Sequence, residues 1–155
     1  MFLTALPRLE PYDGGHVRIL DDVLFKDKTG HIWLSPAGWV SDGCSMPWIL
    51  TWKWSAYDPR YLRSALIHDV RFCVHDLSFK DTNRLFYESL TDEDWEYARL
   101  FKVAVSSPVG WYSYNYRPNL PVNLPLEEVV RKHNENQNAR RAVFAGYPQW
   151  LQDHG

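Results

Sequence analysis

From Tyr61 to about Leu77, apolar residues fall at Leu62, Leu66, Val70, Cys73 and Leu77, the spacing of one buried helix face. Ser78 with Asp81 three residues later has the form of a capping box and predicts a second helix through Phe86 to about Leu90. Thr91 with Asp94 repeats that signal. Trp95, Ala98, Phe101 and Val105 then give a third helix its stripe, which Pro108 and Gly110 should end. Before position 40 the period changes. Residues 17–20 and 23–25 read as short strands, Asp27 to Gly30 as a turn, and residues 31–35 as another strand. One small antiparallel sheet with a face packed on the helices is expected.

Past Gly110 the pattern predicts no regular core element. Trp111 to Tyr116 reads as a tyrosine-rich connector, and Pro118, Pro121 and Pro125 as an extended stretch. Pro125 then opens a polar helix, with Glu127 and Glu128 in its first turn and Arg140 and Arg141 near its end. Such an arm either packs on another protein or lies as a solvated tail on its own body. The expectation is an α+β protein: a single core domain over residues 1–117, with an N-terminal antiparallel sheet and three central helices, then a Pro-rich arm and C-terminal helix over 118–155.

Composition narrows the classes. A chain of 155 residues supports one domain with a real core, and eight Trp among 15% aromatics should dominate it. The net charge is −2 and no basic block stands out, which argues against nucleic acid as the main partner. No apolar run is long enough for a membrane span. Cys44 and Cys73 match neither a disulfide framework nor a zinc motif, so reduced, partly buried thiols are expected. The first ten residues lack the features of a signal peptide, so synthesis in a cytoplasm is expected.

Candidate chemistry centres on His68-Asp69. A charged pair inside an apolar helical run costs free energy unless it is paired or used. Adjacent residues point about 100° apart on a helix, so each can serve a different neighbour. Asp69 leans toward the Leu62, Leu66 and Cys73 side, while His68 shares a stripe with Ser64, Phe72 and His75. His68 suits a general base, because imidazole titrates near neutrality. Asp69 suits a hard cation held with loop carbonyls, as calcium is. Asn83 lies on the inward stripe of the next helix with Phe79, Phe86 and Leu90, where an amide needs a partner and is placed to orient an imidazole.

Other polar residues have plainer roles. His75 is seven residues from His68, roughly 10 Å along the axis, too far to share a zinc ion. It reads as a boundary residue, and Asp81 as a capping one. In the loop Ser41–Pro47, Asp42-Gly43 is a good turn, and Ser45 and Pro47 can cap and start the next segment. A histidine and an aspartate that merely satisfy this turn would need no catalysis. Either way, the turn at Asp42 should fold over the His68 imidazole to make one shared polar niche.

The run Trp33-x-x-Pro36-x-Gly38-Trp39-x-Ser41-Asp42-Gly43-x-Ser45-x-Pro47, followed by Ala65-x-x-His68-Asp69-x-x-Phe72, resembles a family of small phage and prophage proteins known as a domain of unknown function. The likeness spans roughly residues 30 to 105. It implies a phage-encoded, virion-associated protein of the tail, neck or baseplate, on a hydrolase-like scaffold, with other virion subunits as partners. The aromatic and proline-rich arm suits such docking.

A second, weaker likeness is to phospholipase A2 domains, where a helix carries His-Asp-x-x-Tyr and the next carries Ala-Asp-x-x-Phe. It implies His68 as the base, Asp69 and Asp42 on calcium, Asn83 orienting the ring, and an ester of host envelope lipid as substrate. The chain departs from that pattern at Phe72, at Thr82-Asn83, and in lacking the glycine-rich calcium loop and the disulfides. Asn83 can position an imidazole but brings no negative charge. A non-catalytic virion subunit and a working calcium-assisted hydrolase therefore both stand as readings; a third, an inhibitor of host defence, has no residue in its favour.

Overall fold

A computed structural model describes residues 1–12, 16–44, 53–116, 128 and 130–132. Five short strands precede four helices among them: β1 (Leu9–Tyr12), β2 (His16–Ile19), β3 (Val23–Lys26), β4 (Ile32–Ser35), β5 (Val40–Ser41), α1 (Leu62–Val74), α2 (Phe79–Asp92), α3 (Ala98–Val105) and α4 (Pro108–Tyr116). The class is α+β, as the hydrophobic pattern implies. The strands form two antiparallel sheets where the sequence suggested one: β1-β2-β5 and a β3-β4 hairpin.

The hairpin follows from its turn. Asp27 accepts hydrogen bonds from Thr29 N, Thr29 Oγ1, His31 N and Trp33 Nε1 at 2.7–3.0 Å, and Gly30 takes a φ of 90°. That fixes Val23 opposite Ser35 and Phe25 opposite Trp33. In the other sheet, β5 pairs with β2 through Val17 opposite Ser41. Ile19, Val23, Phe25 and Trp39 thereby face α1, where Leu62, Leu66, Val70 and Cys73 complete a first core cluster. Val130, in a helical stretch, also packs on this cluster, so this part of the C-terminal segment lies on its own domain. The rest of the arm, including Arg140 and Arg141, lies outside the described residues.

Helix ends differ from expectation in instructive ways. α1 stops at Val74, because His75 turns left-handed (φ 57°) and returns its N–H to the Arg71 carbonyl. Leu77 is therefore beyond the helix. α2 begins as its capping box requires, with Ser78 Oγ accepting from Asp81 N at 3.1 Å. It runs on to Asp92 because the Thr91 hydroxyl bonds back to the Tyr87 carbonyl (2.8 Å) rather than capping a new start. The third helix starts at Ala98, and Trp95 sits buried in the preceding loop. Trp95 joins Trp54, Tyr61, Phe86 and Phe101 in a second, aromatic cluster.

The connector expected at Trp111–Tyr116 is helical. Pro108 opens α4 instead of ending α3: its missing N–H costs nothing at the first helical position, and Ser107 Oγ accepts from Gly110 N at 3.3 Å. Inside α4, Tyr114 stacks on His75 (4.0 Å between ring centroids) and donates its hydroxyl to the Leu77 carbonyl. This clamps α4 over the α1–α2 turn.

Candidate active site

α1 and α2 are packed so that His68 and Asn83 meet. His68 Nε2 lies 3.0 Å from Asn83 Oδ1. With that oxygen accepting, the ring proton is on Nε2 and the lone pair on Nδ1. Asn83 is only 2% exposed, whereas His68 is half-buried. Two aromatic rings fix the imidazole further, Phe86 at 4.6 Å and Phe72 at 5.1 Å between centroids. Rotation of the ring would break the hydrogen bond and both ring contacts together. The Asn83 Nδ2 amide is buried with no hydrogen-bond partner among the described residues.

Asp69 points the other way, as its place on the helix requires. It is buried, and Oδ2 accepts from the Trp39 indole N–H at 3.1 Å. The Cys73 thiol lies 3.9 Å from Oδ1. Trp39 itself is fully buried, so this bond satisfies an indole that has no access to water. Sequence reasoning missed Trp39 as a partner, although it stands inside the Gly38-Trp39-x-Ser41-Asp42 run.

The Asp42 turn lies on the Asp69 side. Ser41 Oγ accepts from Gly43 N (3.0 Å), Gly43 holds a φ of 75°, and Cys44 N bonds the Ala56 carbonyl (2.9 Å). Burial, then the nearby charges of Asp42 and Asp69, push the Cys44 thiol far above its ordinary pKa, which keeps it protonated and inert. Asp42 also helps raise the Tyr57 hydroxyl, after burial. The structure thus brings Asp42, Asp69 and Cys44 into one electrostatic neighbourhood and joins His68 to Asn83; the rest of the loop expected to close a niche over the imidazole, residues 45–52, lies outside the described residues. Ser45 and Pro47 lie outside the described residues.

Calcium needs six or more oxygens, several of them charged. Asp69 already accepts from Trp39, and no group of three or more His, Cys, Asp or Glu side chains among the described residues is placed to hold a metal ion. The described side chains therefore do not by themselves make a calcium site. A cavity of about 470 Å³ lies elsewhere, between Phe25–Lys28 and the Glu88–Asp92 end of α2, and takes no wall from His68, Asn83 or Asp69. His75 is at the helix boundary and stacked on Tyr114, as a structural residue should be.

Behind α1, Ser64 Oγ donates to Glu93 Oε2 (2.6 Å) and Arg63 Nε to Glu93 Oε1 (3.0 Å). Arg63 also donates to the Thr4 carbonyl, tying the N-terminal segment down. Burial raises the Glu93 pKa against the pull of Ser64 and Arg63. These contacts immobilise the helix that carries His68.

The fold and site together define a small α+β protein with an oriented histidine on a helix pair. Comparison with known proteins gives its family. The family described as protein of unknown function (DUF1353) matches residues 17–102, more than half of the chain, and the chain belongs to it. It is also 31% identical over 147 residues to the uncharacterized protein y4iH of Sinorhizobium fredii (strain NBRC 101917 / NGR234), covering 92% of this chain and 58% of that protein. The chain thus spans little more than half the length of that relative. No solved structure matches. No helix among the described residues is long and apolar enough to cross a membrane.

Proposed function

We propose that the protein is a phage-encoded, virion-associated hydrolase that acts on an ester of host envelope lipid, with His68 as general base. The phage and virion parts rest on the motif resemblance from Trp33 to Phe72. The chemical part rests on one observation, the 3.0 Å bond from His68 Nε2 to buried Asn83 Oδ1. It sets the tautomer that a base needs and holds the ring in one orientation.

In this reading a water molecule gives its proton to Nδ1 as its oxygen attacks the ester carbonyl. Collapse of the tetrahedral intermediate breaks the C–O bond, and the imidazolium returns the proton to the leaving alcohol. The products are a carboxylic acid and an alcohol. Asn83 positions the ring. No step is routed through a metal; calcium at Asp69 and Asp42 is the added element of the phospholipase-like version.

Hydrolysis of short-chain and phospholipid esters, with and without calcium, tests the proposal. His68→Ala should lower turnover on the order of a hundredfold or more. Activity unchanged by that substitution would remove the enzyme and leave the non-catalytic subunit, for which mass spectrometry of purified particles is the direct check.

A further inference from the structure

We infer that Tyr114 on α4 is a positioning residue for the His68 imidazole, an inference that rests on reading His68 as the working group of the site. Tyr114 is wedged where α1 meets α2. Its ring stacks on His75 at 4.0 Å and 12°, meets Phe72 edge-on at 5.2 Å and lies 5.5 Å from Phe79, all between centroids. Its hydroxyl donates to the Leu77 carbonyl. One side chain thus touches the last turn of α1, its left-handed end, the connecting turn and the first residue of α2. Tyr112 and Tyr116, on the same helix, stack on each other at 4.6 Å.

Two routes lead from Tyr114 to the imidazole. The first runs through rings: Phe72, 6% exposed, packs on Tyr114 and, at 5.1 Å, on His68. A buried ring held edge-on by a neighbour leaves its rotamer only by disturbing that packing, so Tyr114 keeps Phe72 against the imidazole. The second route runs through the backbone. The bond from His68 Nε2 to Asn83 Oδ1 spans two helices, and its 3.0 Å length depends on how they are joined.

Their connection, from His75 to Ser78, is short, and Tyr114 holds it at two points. His75 there adopts a φ of 57°, which is costly for a residue with a side chain, and the stack on Tyr114 offsets that cost. Burial and then the charge of Asp76 raise the Tyr114 pKa, so the hydroxyl remains a donor to Leu77 well into the alkaline range.

Carbon-13 relaxation at Cε1 of His68, measured on the full chain without substrate, tests the inference. The wild-type ring should have an order parameter near the roughly 0.85 of rigid structure, and Tyr114→Leu should lower it below about 0.6. Tyr114→Phe keeps the ring contacts and should retain most of the order. Phe25→Leu, in the first core cluster, controls for general loosening and should leave His68 as ordered as in the wild type. Should thermal melts show that Tyr114→Leu does not fold, Tyr114→Met keeps its volume without a ring and carries the same expectation. His68 order unchanged by loss of the Tyr114 ring, lowered as much by Phe25→Leu, or not rescued by Tyr114→Phe overturns the inference, and so does a mobile wild-type imidazole. Where hydrolysis is present, kcat of Tyr114→Leu should fall about tenfold with KM within about twofold of the wild type. Loss of ring order in a protein without hydrolysis removes the enzyme and leaves the positioning, whereas His68-dependent hydrolysis with ring order unmoved removes the positioning and leaves the enzyme.

Discussion

Replacing Asp69 with alanine separates a structural carboxylate from a metal ligand. The wild-type side chain accepts from the Trp39 indole at 3.1 Å inside the core, where Trp39 is fully buried. Without it the indole N–H is stranded, a cost of about 1–3 kcal/mol, and the lost side-chain volume adds about 1 kcal/mol. A total of about 3 kcal/mol is a large part of the roughly 5–15 kcal/mol that holds a domain folded. Asp69→Asn keeps an acceptor for Trp39 and should cost only about 1 kcal/mol. Urea unfolding followed by fluorescence gives both values, as a lower midpoint at unchanged slope. Asp69→Ala within about 0.5 kcal/mol of the wild type would refute the structural role. If calcium instead binds at Asp69, saturating metal at about a hundred times its dissociation constant should add about 2.7 kcal/mol to the wild type and much less to Asp69→Asn.

Gly43→Ala should destabilise by about 3 kcal/mol or more, from the positive φ and a Cβ that would strike the Ala56 carbonyl and lie 2.8 Å from Tyr57 Cε1; a cost below about 1 kcal/mol in urea unfolding would mean that the turn relaxes freely. Asp27 should contribute to acid stability: burial alone would raise its pKa, but its hydrogen bonds from Thr29, Trp33 and His31 outweigh this and hold it at about 2. Because the folded value is depressed, its contribution is present above the ordinary aspartate range and is lost as pH falls toward 2, so melts of wild type and Asp27→Asn should converge over that window. A gap that persists at the acid end contradicts this. Asn83→Asp gives the imidazolium a negative partner, so the acid limb of the pH–rate profile should move to higher pH, while Asn83→Leu should abolish most activity; a limb that stays in place would show that Asn83 does not act on His68.

What was legible in the chain was what local spacing dictates. The α1 stripe, the Ser78 cap and the turn at Asp27 each rest on residues within four positions of one another, and each is present. The pairing of His68 with Asn83 was legible too, because two helices joined by a short turn must face each other along their inward stripes. Signals with two local solutions went astray. Thr91 can cap a helix or bond back into one, and Pro108 can end a helix or open one; the choice was made by the burial of Trp95 and by the cap at Ser107. Long-range partners were the least legible. Nothing near Trp39 in sequence announces that its indole will bond a carboxylate thirty residues on, or that the strands divide into two sheets.

The division of α1 into two faces explains how the site tolerates its own chemistry. On one face Asp69 is held by Trp39 in the first core cluster, and its charge helps keep Cys44 protonated. On the other face His68 is half-buried and bonded to a neutral amide. A carboxylate at position 83 would put a second negative charge beside a helix that already buries Asp69. With asparagine there, the ring is oriented and no further charge needs desolvation. The departure from the phospholipase-like pattern at Asn83 is therefore compatible with a positioned base, and what it forgoes is the electrostatic support of the imidazolium, the quantity that Asn83→Asp would restore.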